Sequence, residues 1–98
     1  MIYGDVKKYT ATVDPGDITT KLTLDVVATV TGVGANDQCI AMDFPAALDA
    51  GVGVVGFWVS GANAITVRFM NVTAGNIDPA SGSYIFYVET YPGVAGYL

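Results

Sequence analysis

The sequence predicts an all-β chain folded as a single-domain antiparallel β-sandwich of jelly-roll-like type. Three observations predict it. Gly, Pro, Asn and Asp punctuate the chain at short intervals and leave no uninterrupted stretch for a helix of ordinary length. The segments between them are rich in Val, Ile, Thr, Tyr and Phe, side chains that suit a pleated, half-buried surface. Several of these segments also alternate apolar and polar positions with a period of two.

The elements follow in order. Residues from Met1 to about Lys8 read as an N-terminal arm. Tyr9, Ala11 and Val13 alternate with Thr10 and Thr12 in a first strand, which stops at the turn Asp14-Pro15-Gly16-Asp17. Leu22, Leu24, Val26, Ala28 and Val30 then point one way while Thr23, Asp25, Val27, Thr29 and Thr31 point the other, the cleanest alternation in the chain. Gly32 to Asp37 is the next turn. Gln38 to Asp43 reads as a short strand with Ile40 and Met42 on its inner face, and Phe44 to Gly51 is a connection with room for one helical turn.

Val52 to Ser60 does not alternate. Val54, Val55, Phe57, Trp58 and Val59 put bulk on both faces, which predicts a strand covered on both sides. Gly61-Ala62-Asn63-Ala64 turns the chain into Ile65 to Val72, with Ile65, Val67 and Phe69 inward and Thr66 and Arg68 outward. Thr73 to Gly82 is the longest loop. The last strand, Ser83 to Tyr91, is again apolar on both faces, Tyr84, Phe86 and Val88 alternating with Ile85, Tyr87 and Tyr91. Pro92 to Leu98, with its Pro and two Gly, reads as a C-terminal arm. The expectation is one domain over residues 1–98 with arms at about 1–8 and 92–98.

Composition bears on function. A lone domain of 98 residues buries only about 60–65% of the surface its unfolded chain exposes, so it is marginal without help. Cys39 is the single cysteine and there is no histidine, so neither an internal disulfide nor the usual zinc and redox sets can supply that help. Yet 52% of residues are hydrophobic, the mean hydropathy is +0.48, and 13% are charged against about 25% in an average domain. No apolar run approaches the roughly 20 residues of a spanning helix, and Met1 to Asp5 lacks a basic n-region leading into an apolar h-region, so neither a membrane span nor a secretory signal is expected. Association with protein is the remaining outlet for the apolar surplus. A net charge of -5 and a pI near 4.1 oppose nucleic-acid binding.

Catalytic sets are hard to assemble from these residues. Without histidine a Ser-His-Asp or Cys-His arrangement cannot form, and Asp14, Asp17, Asp37, Asp43, Asp49 and Asp78 sit in or beside turns, where Asp bonds its own backbone. Asp14-Pro15-Gly16-Asp17 offers only two carboxylates for calcium. Gly51-Val52-Gly53-Val54-Val55-Gly56 has dinucleotide-like spacing but is followed by strand formers, so its glycines mark a bend or a close approach of another chain. Asn71-Val72-Thr73 matches a glycosylation triplet, and Cys39 reads as a small buried hydrophobe. No enzyme, cofactor or metal is expected.

Ala62-Asn63-Ala64-Ile65-Thr66-Val67-Arg68-Phe69-Met70-Asn71-Val72-Thr73, followed by Ile77-Asp78-Pro79-Ala80-Ser81-Gly82-Ser83-Tyr84, resembles a group of small structural proteins of tailed bacteriophages. The resemblance extends back through Pro45-Ala46-Ala47-Leu48 and Val59-Ser60; Met1 to Val33 matches less well. It implies a virion protein of the cement (decoration) type, a homotrimer on the outer surface of the capsid that clamps the major capsid protein, with no nucleic-acid or membrane partner. Candidate contacts with sister chains or capsid are Phe57, Trp58, Tyr84, Phe86, Tyr87 and Tyr91, with Ile2, Tyr3, Tyr97 and Leu98 near the ends. The competing expectation is a receptor- or glycan-binding module of a fibre or spike, suggested by Trp58 and the six tyrosines.

Overall fold

The structure, a computed structural model, describes residues 5–44 and 48–90. Six strands form: β1 (Val6–Val13), β2 (Thr23–Thr29), β3 (Gln38–Asp43), β4 (Val52–Gly61), β5 (Ala64–Asn71) and β6 (Gly82–Glu89). They make two three-stranded sheets in the orders β1-β6-β3 and β2-β5-β4, with every pairing antiparallel. The sheets pack face to face as a β-sandwich, and no helix occurs among the described residues. The pairing is nested, β1 on β6 and β2 on β5, with β3 and β4 added outside. A jelly roll is wound in this way, here with three strands in each sheet instead of four.

The two central strands carry the most completely buried side chains. Ile65, Val67 and Phe69 of β5 meet Tyr84, Phe86 and Val88 of β6, none more than 1% exposed. Phe69 and Tyr84 join the two sheets edge to face, with ring centroids 6.2 Å apart, and Phe44 meets Tyr84 in the same manner at 5.8 Å. Each large side chain buried in this way contributes about 1.5–3 kcal/mol. Burial also pushes the Tyr84 phenol above its ordinary pKa.

Turn chemistry closes the ends. The β4–β5 hairpin has a two-residue loop in which Asn63 takes a φ of 60°, a left-handed conformation that Asn tolerates better than most side chains. Asn63 also ties the β2–β3 connection down: its amide donates to the Val33 carbonyl at 2.7 Å, and its Oδ1 accepts from Gly32 N at 2.8 Å. At the other end, Asn71 is fully buried and all its polar atoms are used. Its Nδ2 donates to the carbonyls of Ile18 and Gly75, and its Oδ1 accepts from Thr73 N and Oγ1.

Several expectations change. Residues 6–8 are not an arm: Val6, Lys7 and Lys8 pair with Glu89, Val88 and Tyr87. Two adjacent lysines hide the alternation there, because on an edge strand long charged side chains stay in water on either face. Ile40 is not inward but 50% exposed. The register shifts between Cys39 and Ala41, so Ile40 is the extra residue of a bulge and Cys39 and Met42 face the core. Leu22, expected to share the inner side of its strand, lies just outside β2 and is 56% exposed. The stretch beginning at Phe44 shows no helical turn at Leu48–Gly51, and Pro45, Ala46 and Ala47 lie outside the described residues.

Candidate interaction surface

The doubly apolar strand β4 resolves into two sides through its bulges. The register shifts between Val54 and Gly56 and again between Val59 and Gly61, so Val52, Val54, Phe57 and Val59 turn to the core while Val55 and Trp58 stay outside. Val55 is 55% exposed and Trp58 37%. Across the same outer face, Val27 of β2 is 63% exposed. Thr66 lies between Val27 and Trp58 in register and is buried. The face is thus a small apolar patch laid over the centre of the β2-β5-β4 sheet.

A charged cluster borders this patch. Arg68 donates to Asp25 through Nε at 2.7 Å and Nη2 at 3.0 Å, a two-pronged pairing across β5 and β2. The Arg68 guanidinium lies 5.0 Å from the centre of the Trp58 ring. Its hydrogen bonds hold Asp25 below the ordinary carboxylate range, and Asp25 in turn raises Arg68. Trp58 runs back along its own strand, so that a Cβ at Gly56 would meet its ring at 3.6 Å.

The opposite face, on β1-β6-β3, carries Val6, Ile85, Tyr87, Ala41 and the bulged Ile40, with Lys8 and Thr10 beside them. Val6 and Ile40 are about half exposed, at 54% and 50%, and Ile85 and Tyr87 are half-buried. Between the faces, where the start of β3 meets the later part of β4, a groove of about 300 Å³ is lined by Asp37, Gln38, Cys39, Phe57, Trp58 and Val59.

These positions sort the sequence candidates. Trp58 faces outward and Tyr87 is half-buried on the outer side of β6, while Phe57 packs against the core and also lines the groove. Tyr84 and Phe86 are corrected: at 1% and 0% exposure they belong to the core, because their strand is central and its inner positions face the other sheet. Ile2, Tyr3, Tyr91, Tyr97 and Leu98 lie outside the described residues. Sequence reading missed the Asp25–Arg68–Trp58 cluster. Asp25 and Arg68 were both placed outward, but the register that sets them opposite each other needs the strand order.

The chemistry available is that of contact. Among the described residues, no three His, Cys, Asp or Glu gather to hold a metal. Burial pushes the Cys39 thiol above its ordinary pKa, which disfavours the nucleophilic thiolate. The glycosylation triplet is closed, since both Asn71 amide hydrogens are committed inside the fold. Gly51, with a φ of +85°, sits in the turn before β4, and no helix follows Gly56, so the dinucleotide-like spacing is strand and turn. No family model, curated protein or solved structure matches the chain.

Proposed function

We propose that this chain is a structural virion protein that decorates and stabilises a bacteriophage capsid as a homotrimeric cement protein. The reading is supported most by one observation: apolar side chains stand exposed on both outer faces of the sandwich, Val27, Val55 and Trp58 on one and Val6 and Ile40 on the other. One face would meet sister chains and the other the major capsid protein on the outer surface of the shell. Exposed apolar side chains on an outer sheet face favour protein contact. Trp and Arg, paired here as Trp58 and Arg68, are the residue types that dominate interface energetics. A trimer engaging several capsid subunits gains strength by multivalency, without any single tight site. The phage-like strings of β5 and the loop before β6 point the same way.

The test is to mix purified protein with undecorated capsids and image the product. The proposal expects ordered density on the shell at symmetry-related positions and protection against heat or chaotrope. Bare shells at saturating protein would refute it. Saturable binding to glycans or host cells, with none to capsids, would favour the fibre or spike module instead.

A further inference from the structure

Each sheet of the sandwich ends in two edge strands, and three of these four carry a feature that discourages a further strand. β1 bears Lys7 and Lys8, β3 is bulged between Cys39 and Ala41, and β4 is bulged between Val54 and Gly56 and again between Val59 and Gly61. β2 has none of these. Its seven residues, Thr23–Thr29, keep an unbroken register with β5 and include no Lys, Pro or Gly. Its one charged side chain, Asp25, is held by Arg68 of the same sheet at 2.7 and 3.0 Å.

The ladder fixes where β2 points its backbone groups. Asn71 N donates to the Leu22 carbonyl at 3.1 Å and Val30 N to the Asn63 carbonyl at 2.8 Å, one bond at each end of the β2–β5 pairing. Hydrogen-bonded positions alternate in an antiparallel ladder, so Leu24, Val26 and Ala28 bond β5 while Thr23, Asp25, Val27 and Thr29 turn their N–H and C=O groups to the other edge. Among the described residues no strand lies beyond that edge. Val27, in the middle of the outward set, is 63% exposed.

A second copy of the same strand matches this edge. Antiparallel pairing about a two-fold axis at Val26 sets Thr23 against Thr29 of the second copy and Asp25 against Val27 of the second copy. All four outward positions then exchange hydrogen bonds, and the two Val27 side chains become diagonal neighbours on the outer face. An axis at Asp25 would set two carboxylates directly opposite each other, and an axis at Val27 would carry Thr23 past the end of the strand. We propose that β2 pairs with β2 of a second copy along this edge, joining two three-stranded sheets into one of six strands. The contact is isologous, so it differs from the three-fold contact of the proposed trimer and goes beyond the cement reading. It is one strand wide and therefore weak, forming at high concentration.

Amide hydrogen exchange resolved by residue, on the full chain across a concentration series, reads the pairing directly. At high dilution the amides of Leu24, Val26 and Ala28 should be protected while those of Thr23, Asp25, Val27 and Thr29 exchange freely. At millimolar concentration these four should gain protection, and sedimentation should show a doubling of whatever mass the chain has at dilution. Because the doubling is relative, the test reads the same whether or not the dilute species is a trimer. Thr29→Pro removes an outward donor and sets a ring against the incoming strand, while the β2–β5 bonds and Val27 remain, so it should abolish both changes. The proposal is overturned if the four amides show the same exchange at every concentration, if the mass never doubles, or if Thr29→Pro leaves the doubling intact. Should Thr29→Pro fail to fold, the exchange pattern of the unaltered chain decides alone.

Discussion

Val55 offers the sharpest separation between what holds the chain together and what holds it to its partners. It is the extra residue of the bulge between Val54 and Gly56 and is 55% exposed, so Val55→Asp removes little buried surface from the single chain. Surface changes of this kind stay within about 0.5 kcal/mol, a shift of roughly 2–4 °C in Tm for a domain of this size. In an assembly that covers the outer face of β2-β5-β4, the same change strands a carboxylate against apolar surface at a cost of about 3 kcal/mol or more. That weakens association roughly 150-fold. Thermal unfolding at high dilution and sedimentation across a concentration series read the two quantities separately. Phe86→Ala supplies the contrast: it empties a fully buried site and should cost about 3–5 kcal/mol in the single chain. If Val55→Asp leaves the oligomer intact, the outer face is not an interface; if it unfolds the dilute chain, Val55 is core and the two-sided description of β4 fails.

Three further outcomes are expected. Asn71→Ala strips four hydrogen bonds and leaves Thr73 N without its acceptor, so chemical denaturation should show a loss of about 3 kcal/mol. Asn71→Asp should cost more at neutral pH, because a carboxylate would then face the Ile18 and Gly75 carbonyls. Gly51→Ala combines a φ of +85° with overlap of the new methyl on the Thr73 γ-methyl, and should destabilise by about 2 kcal/mol or more. Adding Thr73→Ser should recover the overlap but not the backbone part, and full recovery would contradict the conformational argument. Asp25 is held below its ordinary pKa by Arg68, so the pair contributes above the ordinary carboxylate range and is lost as pH falls through the lower folded-state value. Because Arg68 stacks on Trp58, tryptophan emission should titrate with a midpoint below that of a free Asp, and a midpoint at the ordinary value would contradict the pairing.

The sandwich was legible in the sequence because β2 and the central strand β5, which pair with each other, alternate apolar and polar residues and turn residues bound every strand. Ile65, Val67 and Phe69 alternate strictly, and Ala62-Asn63 closes a two-residue hairpin loop where the turn signal lies. What the sequence hid follows from breaks in the period of two. One extra residue at Ile40 put Cys39 in its place on the inner side of β3 while Met42 stayed inward, and one at Val55 shifted the register so that β4 carries bulk on both sides. Tyr84 and Phe86 looked like possible contact aromatics because residue type does not distinguish a central strand from an edge. The structure places β6 between β1 and β3, so their side is sealed. Asn71 was visible only as part of a glycosylation triplet, since its buried hydrogen bond to the Ile18 carbonyl joins positions 53 apart in the chain.

The account rests on apolar side chains that the folded chain leaves on its outside, Val27 and Val55 above all, and the most direct test is the native mass of the full chain in solution. Sedimentation equilibrium at micromolar concentration should give a defined oligomer, three chains of 10.2 kDa in the proposed assembly. A stable species of one 10.2 kDa chain at high concentration, with Val27 and Val55 still open to solvent, would contradict it.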